Sequence, residues 1–179
     1  MVDQEEMKLA VAAVAGDLDG FGELCQRYYG PMVAIAYSVV GDHHLAEDAV
    51  QEAFAKALGG LRKLKRADRF SPWLTQICRN VAKDMAKAKT VRISTVGMED
   101  IGQLPEKPGD DGTDQAVRRA ISKLGGSARE MIVLRYYDNL SYERISAALG
   151  ISKAAVNSRL KRAKRKLAIM LQRNGLLED

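Results

Sequence analysis

Apolar residues recur every three or four positions along almost the whole chain, and no stretch alternates in the manner of a strand. The pattern predicts an all-α protein. A first helix covers about residues 3–15 and stops at Gly16; a second begins near Asp19 and carries Phe21, Leu24, Cys25 and Tyr28. Gly30-Pro31 is expected to interrupt it, with a third helix continuing through Val33, Ala36, Tyr37 and Val40. Gly41 breaks the pattern again and Asp42 offers an N-cap. The helix from Leu45 to Leu58 buries Ala46, Val50, Ala53, Phe54 and Ala57 along one stripe. Ser71-Pro72 then reads as an N-cap and a first-turn proline. The helix they start has Leu74, Ile77, Cys78, Val81 and Met85 as its core face.

From about Thr90 to Asp114 the periodicity dissolves into glycines, two prolines and the acids Glu99, Asp100, Glu106, Asp110, Asp111 and Asp114. Such a stretch reads as a flexible acidic linker, spanning 93–113 between small helical domains at 1–92 and 114–179. It has too few apolar groups to weld them, so the two are expected to fold independently. The second domain opens with Val117, Ala120, Ile121 and Leu124 on one face. Gly125-Gly126 stops that helix, and Ser127-Ala128-Arg129-Glu130 has the form of a capping box. Ser141 and Ser152 are spaced as N-caps on either side of Gly150, where the chain must reverse. After the reversal, Val156, Leu160, Ala163, Leu167 and Met170 form a buried face. Two helices meeting at one tight turn make a helix-turn-helix.

Charge then separates the faces. From Arg144 to Leu177 there is no Asp or Glu among nine Lys and Arg residues, an arrangement that repels itself unless a polyanion neutralises it. At about 100° per residue, Asn157, Ser158, Lys161 and Arg162 fall on the open side of the second helix, the position from which a helix-turn-helix reads a major groove. Asp48, Glu52 and Ala55 lie opposite the apolar stripe of the 45–58 helix, with Gln51 on the flank. An acidic face suits a protein partner better than DNA. Beside the core face of the 72–85 helix runs a second stripe, Trp73, Gln76, Asn80, Lys83 and Lys87. It offers an aromatic ring, two amides and two ammonium groups to unstacked bases and phosphates.

Composition narrows the remaining classes. The chain has 179 residues, 46% hydrophobic and 28% charged, with a net charge of +5. No apolar run reaches the roughly 18 residues of a membrane span, and the acidic start is unlike a secretory signal. Cys25 and Cys78 sit far apart on apolar faces, as reduced thiols of a cytoplasmic protein do. His43-His44 stands at a helix start, where a solvated pair is the ordinary reading. No phosphate-cradling loop or nucleophile elbow is present, so no enzyme activity, metal or cofactor is expected.

The segments GDHHLAEDAVQEAF and FSPWLTQICRNVAKD, the acidic linker and LRYYDNLSYERISAALGISKAAVNSRLKRAKRKL together resemble bacterial sigma factors of the extracytoplasmic-function group. The likeness covers about Gly16 to Leu167 in order and spacing. It departs from the family pattern at Leu124-Gly125-Gly126, where Leu-Pro is usual, and at Ala154-Ala155, where Gly-Thr is. The resemblance implies a factor that binds core RNA polymerase and promoter DNA, with an anti-sigma factor as a further partner. Asp48, Gln51 and Glu52 match the helix that docks on the polymerase β′ clamp helices. Arg66, Asp68, Arg69, Phe70 and Ser71 match the loop that captures a flipped −10 base, and Trp73, Gln76, Asn80 and Lys83 lie on the adjoining helix. Asn157, Ser158, Lys161 and Arg162 match the −35 reading positions. The competing reading is a stand-alone helix-turn-helix regulator whose first half is a helical sensory or interaction domain.

Overall fold

The computed structural model describes residues 4–96, 112–137 and 139–175. Every regular element among them is helical. Helix α1 is Gln4–Ala15, α2 Leu18–Val40 and α3 His43–Gly60. Short 3-10 turns at Leu61–Lys63 and Ala67–Arg69 lead into α4, Phe70–Val96. Beyond the undescribed segment come α5 Gly112–Ser122, α6 Gly126–Ile132, a π-turn Val133–Tyr137, α7 Tyr142–Leu149 and α8 Lys153–Arg173. The expected linker lies mostly outside the described residues; α4 itself runs to Val96, past the boundary expected at 92.

Most predicted ends carry the predicted chemistry. Asp42 accepts from the Leu45 N–H at 3.1 Å, and Ser141 and Ser152 accept from Arg144 and Ala155, each at 3.2 Å. Gly16 turns at φ +108, a value that L side chains rarely adopt. Three expectations are corrected. Gly30-Pro31 does not break α2, which continues unbroken to Val40. Pro31 is buried there, flanked by Tyr28 and Met32 facing the same core, so packing outweighs the hydrogen bond that proline removes. Ser71 is not an N-cap, because α4 begins one residue earlier at Phe70. The capping box does not form either: Gly125 is the N-cap of α6, with no side-chain cap, and Glu130 is spent elsewhere.

Helices α1 to α4 pack around Leu24, Met32, Ile35, Val50 and Leu74, all fully buried. Phe70 plugs this bundle where α4 starts. Its ring lies 6.4 Å from Phe21, 6.0 Å from Tyr28 and 6.0 Å from Trp73, each edge-on or tilted. Helices α5 to α8 form a second bundle around Leu124, Met131, Leu134, Ile145 and Val156. The bundles are not apart. Helix α4 packs on α7 and α2 on α6 and the π-turn, so one apolar cluster is continuous from Ala10 to Ala163. The sequence offered no apolar linker to join them; the joining surfaces are on the bundles themselves.

Phe70→Ala should lower unfolding stability by about 3–5 kcal/mol, the usual cost of emptying a buried aromatic site. Asn80→Ala on the exposed side of the same helix should stay within about 0.5 kcal/mol. Urea unfolding followed by circular dichroism measures both.

Candidate functional site

Three surfaces carry the residues singled out by sequence. On α3, Asp48, Gln51 and Glu52 are all exposed, opposite the fully buried Ala46, Ala49, Val50 and Ala53. Glu52 forms an ion pair with Lys56 at 2.6 Å, one turn along. Beside this face is a shallow apolar depression between α2 and α3, lined by Cys25, Tyr29 and Phe54. Glu47 accepts the Tyr29 hydroxyl at 3.2 Å and faces His43 at 3.5 Å. Burial pushes the Cys25 thiol up to about 11 and the Cys78 thiol up to about 12, so both stay protonated and unreactive. Among the described residues no cluster of His, Cys, Asp and Glu could hold a metal ion. No described helix is long and apolar enough to cross a membrane.

The second surface is a cavity of about 310 Å³ between α3, the turn after it and α4. Helix α4 contributes Trp73 and Asn80, with Ile77 and Val81 as apolar wall and Asp84 at the polar end. The opposite wall was not foreseen: Lys56, Gly60 and Lys63 come from α3 and the turn at its end. Gly60 is part of the cavity's shape. A Cβ there would lie 3.3 Å from the Trp73 ring, tighter than a relaxed contact. Trp73 is thus half-buried, one edge against Phe70 and Gly60 and another open to the cavity. Gln76 donates its amide to the Asn80 side-chain oxygen at 2.8 Å, which leaves the Asn80 NH₂ to donate outward. Gln76, Asn80, Lys83 and Lys87 are all exposed, as the stripe predicts.

The basic loop stands between two cavity residues, Lys63 and Trp73. Arg66 grips Asp68 with two hydrogen bonds of 3.0 and 2.6 Å, and Arg69 lies 3.9 Å from the same carboxylate. The Arg66 hydrogen bonds hold the Asp68 carboxyl below the usual carboxylate range. Two residues assigned to this loop do not reach the cavity rim. Phe70 is buried in the core, and Ser71 is buried with its hydroxyl donated to the Ala147 carbonyl at 2.5 Å. A helix start that must fill the bundle with a ring and meet α7 with a hydroxyl leaves neither side chain for a base.

On α8, Asn157, Ser158, Lys161 and Arg162 are exposed together, backed by Val156, Leu160 and Ala163 in the core. Lys164 points instead toward the Tyr136 ring, 6.0 Å from its centroid. Gly150 takes the left-handed conformation at φ +63 that the tight turn requires.

The family model of sigma-70 region 2 matches residues 24–91, and that of sigma-70 region 4 matches residues 114–167. The chain is 31% identical over 173 residues to RNA polymerase sigma factor NccH of Alcaligenes xylosoxydans xylosoxydans, covering 92% of this chain and 93% of that protein. It is 29% identical to ECF RNA polymerase sigma factor SigW of Bacillus subtilis, covering 88% and 91%. The chain belongs to the extracytoplasmic-function group of the sigma-70 family. Against Probable RNA polymerase sigma factor RfaY of Xanthomonas campestris pv. campestris the identity is 30%, over 85% of this chain but only 40% of that longer protein. Among solved structures, CnrH in complex with the cytosolic domain of CnrY is similar with a TM-score of 0.60 at 27% identity, covering 94% of this chain and 97% of that one. A second is the sigma factor RpoE in complex with the anti-sigma factor NepR from Bartonella quintana. It gives a TM-score of 0.53 at 25% identity, covering 84% and 97%. A sigma factor is thus favoured over a stand-alone regulator, since both matched regions are sigma regions in the order of that family.

The Arg66–Asp68 contact has a titration signature. Because the carboxyl is depressed when folded, the contact is present above the ordinary carboxylate range and is lost as pH falls through the depressed value. Carbon-detected NMR should place the Asp68 midpoint below 3.8, and Arg66→Met should move it back up.

Proposed function

We propose that this sigma factor carries core RNA polymerase to promoters by dividing the task among its three surfaces, with no covalent chemistry of its own. Asp48, Gln51 and Glu52 form the polymerase-docking face, fitted to the β′ clamp helices. Asn157, Ser158, Lys161 and Arg162 read the −35 element from the major groove, where Asn pairs bidentately with adenine and Lys or Arg with guanine. Arg66 and Arg69 attract the backbone beside the −10 element. The cavity next to them receives a base drawn from the −10 strand, with Trp73 as its stacking surface and the Asn80 amide at its edge.

The observation that carries this reading is the cavity, which brings Trp73, Asn80, Lys56 and Lys63 together from two helices and a turn. Its volume is at the lower end of small-ligand sites. A duplex hides the faces of its bases, so an aromatic wall and an amide gain contact only when a base leaves the stack. Stacking on an aromatic side chain is worth about 1–3 kcal/mol per base, comparable to the few kcal/mol needed to unstack one. A base held in the cavity therefore shifts the duplex toward opening without any nucleotide hydrolysis. The chain works in the cytoplasm, where the polymerase is, and an anti-sigma factor holds it in check, in keeping with the complexes in which its structural relatives were solved.

Asn80→Ala should slow opening of a fully paired promoter and be partly rescued on a template whose −10 region is already unpaired. Fluorescence of 2-aminopurine in the −10 strand, with polymerase present, reads this out; opening as fast as the parent on paired DNA would remove the cavity from the mechanism. On the other surfaces, Asn157→Ala or Lys161→Ala should cost about 1–3 kcal/mol on the preferred −35 sequence and relax specificity there. Gln51→Ala with Glu52→Lys should cost about 2–5 kcal/mol of core-polymerase affinity in a titration, the range for altering a desolvated charged contact.

A further inference from the structure

Between α3 and α4 the chain turns every third residue inward. Leu61, Leu64 and Phe70 are buried and Ala67 packs against the core, while Arg62, Lys63, Lys65, Arg66 and Arg69 are exposed. That spacing is the period of a 3-10 turn, in which residues three apart stand one above the other. The Leu64 N–H donates to the Leu61 carbonyl and the Arg69 N–H to the Arg66 carbonyl, each at 3.0 Å. The segment is therefore a ridge, with one apolar edge turned in and its cations turned out. Across from it lies α1, which packs on α2 and on both turns, Leu61–Lys63 and Ala67–Arg69. The buried face of α1 is Glu6, Ala10 and Ala13, one carboxyl and two small side chains.

Two polar contacts seat α1 on α2. The Tyr28 hydroxyl donates to Glu6, both residues being buried, and Arg27 pairs with Glu5 at 3.0 Å. Burial, and then the Glu6 carboxyl beside it, raise the Tyr28 hydroxyl above its usual range, so it stays a donor. The same Tyr28 ring lies 6.0 Å from that of Phe70, the last inward residue of the ridge. Glu6 is thus linked through a single side chain to the point where the ridge enters the core. Helix α1 also precedes residues 24–91, the stretch matched by the region 2 model.

We propose that α1 is the floor that positions the basic loop for the −10 strand, and that Glu6 is the positioning residue that seats it. The inference rests on the assignment of the loop and the cavity to the −10 element. The loop is poorly equipped to hold this shape alone. Each turn is three residues long, with the weak hydrogen-bond geometry of its kind, and residues 64–66 between them belong to no helix. Residues 62–69 carry five cations and one acid, Asp68, and that excess of like charge favours an extended chain. Held against α1, the ridge keeps Lys63 on the cavity wall and Arg66 and Arg69 beside it before any strand arrives. The cost of ordering these donors then does not fall on the capture step. Because α1 packs on α2 and the two turns, docking through α3 and −35 reading through α8 should be indifferent to its seat.

The test uses the full chain with Glu6→Leu, Glu6→Gln or Tyr28→Phe. Leucine fills the space without accepting a hydrogen bond, glutamine keeps an acceptor for the Tyr28 hydroxyl, and phenylalanine keeps the ring against Phe70. The readouts are opening of a paired promoter with polymerase present, affinity for −35 DNA, affinity for core polymerase, and hydrogen exchange along the chain. Glu6→Leu and Tyr28→Phe should slow opening about tenfold, as one buried hydrogen bond left unmade can, with both affinities within about twofold of the parent. Their exchange should quicken in α1 and at residues 61–69 and not in α3 or α8. Glu6→Gln should behave as the parent in every readout. Unchanged opening in both disruptive variants, equal slowing in Glu6→Gln, or exchange that quickens throughout the chain would overturn the proposal. If Glu6→Leu loses helicity by circular dichroism, Tyr28→Phe decides alone. If Arg66→Met with Arg69→Met leaves opening unchanged, the assignment of the loop to the −10 element fails, while exchange at residues 61–69 still decides whether α1 positions it.

Discussion

Burial of the Phe70 ring sets where α4 begins and how it is rotated, and the candidate positions on α4 and in the basic loop before it depend on that rotation. The ring is held by Phe21 and Tyr28 from α2 and by Trp73 from its own helix. Once it is seated, α4 has three faces with three different fates. Leu74, Cys78 and Val81 enter the first bundle; Ser71, Thr75 and Arg79 meet the second; Gln76, Asn80 and Lys83 face solvent. The basic loop is placed by the same event, since it must end where Phe70 enters the core. A small change in the register of this one helix would misplace the cavity, the loop and the contact with the second bundle together.

The helices themselves were legible because their signals are local. Capping side chains, the left-handed glycine at 150 and the 3.6-residue stripes act over a few residues, and the exposed polar face of α8 follows from them directly. The cavity was only half legible. Its α4 wall shows as a stripe, but Lys56, Gly60 and Lys63 acquire meaning only when α3 is laid beside Trp73. The contact between the bundles was invisible for the same reason. Arg79 and Glu130 pair across half a hundred positions of sequence with an undescribed segment between them, and no periodicity marks such a contact. Glu130 was misread because Ser-x-x-Glu is a genuine local signal; the carboxylate is buried, and the partly exposed guanidinium of another helix outcompetes a surface cap for it. Proline at 31 misled likewise, since local propensity is weaker than the packing of the residues around it.

Charge is arranged so that the two ends of the chain do not neutralise each other. The acidic residues of α3 are tied locally, Glu52 to Lys56 and Glu47 to Tyr29 and His43, while the basic run of α8 meets acid across its turn through Lys153 and Glu143 at 2.6 Å. The acids of α3 are thus engaged within their own bundle, and apart from Glu143 the basic run of α8 is left without acidic partners among the ion pairs of the described residues. Any long-range attraction of α8 and the basic loop to a polyanion falls with ionic strength.

The contact of Gly150 with Pro72 also limits how freely the halves of such a protein can be recombined. A turn glycine would ordinarily be judged by its own helix-turn-helix, where only the left-handed conformation matters. Here the missing side chain also makes room for a proline on a different module. A second half transplanted from another chain with asparagine at that position would keep a serviceable turn, because asparagine tolerates the left-handed region. It would nonetheless arrive wedged away from its host. Compatibility between halves is therefore written in a single absent methyl group as much as in the polar contacts around it.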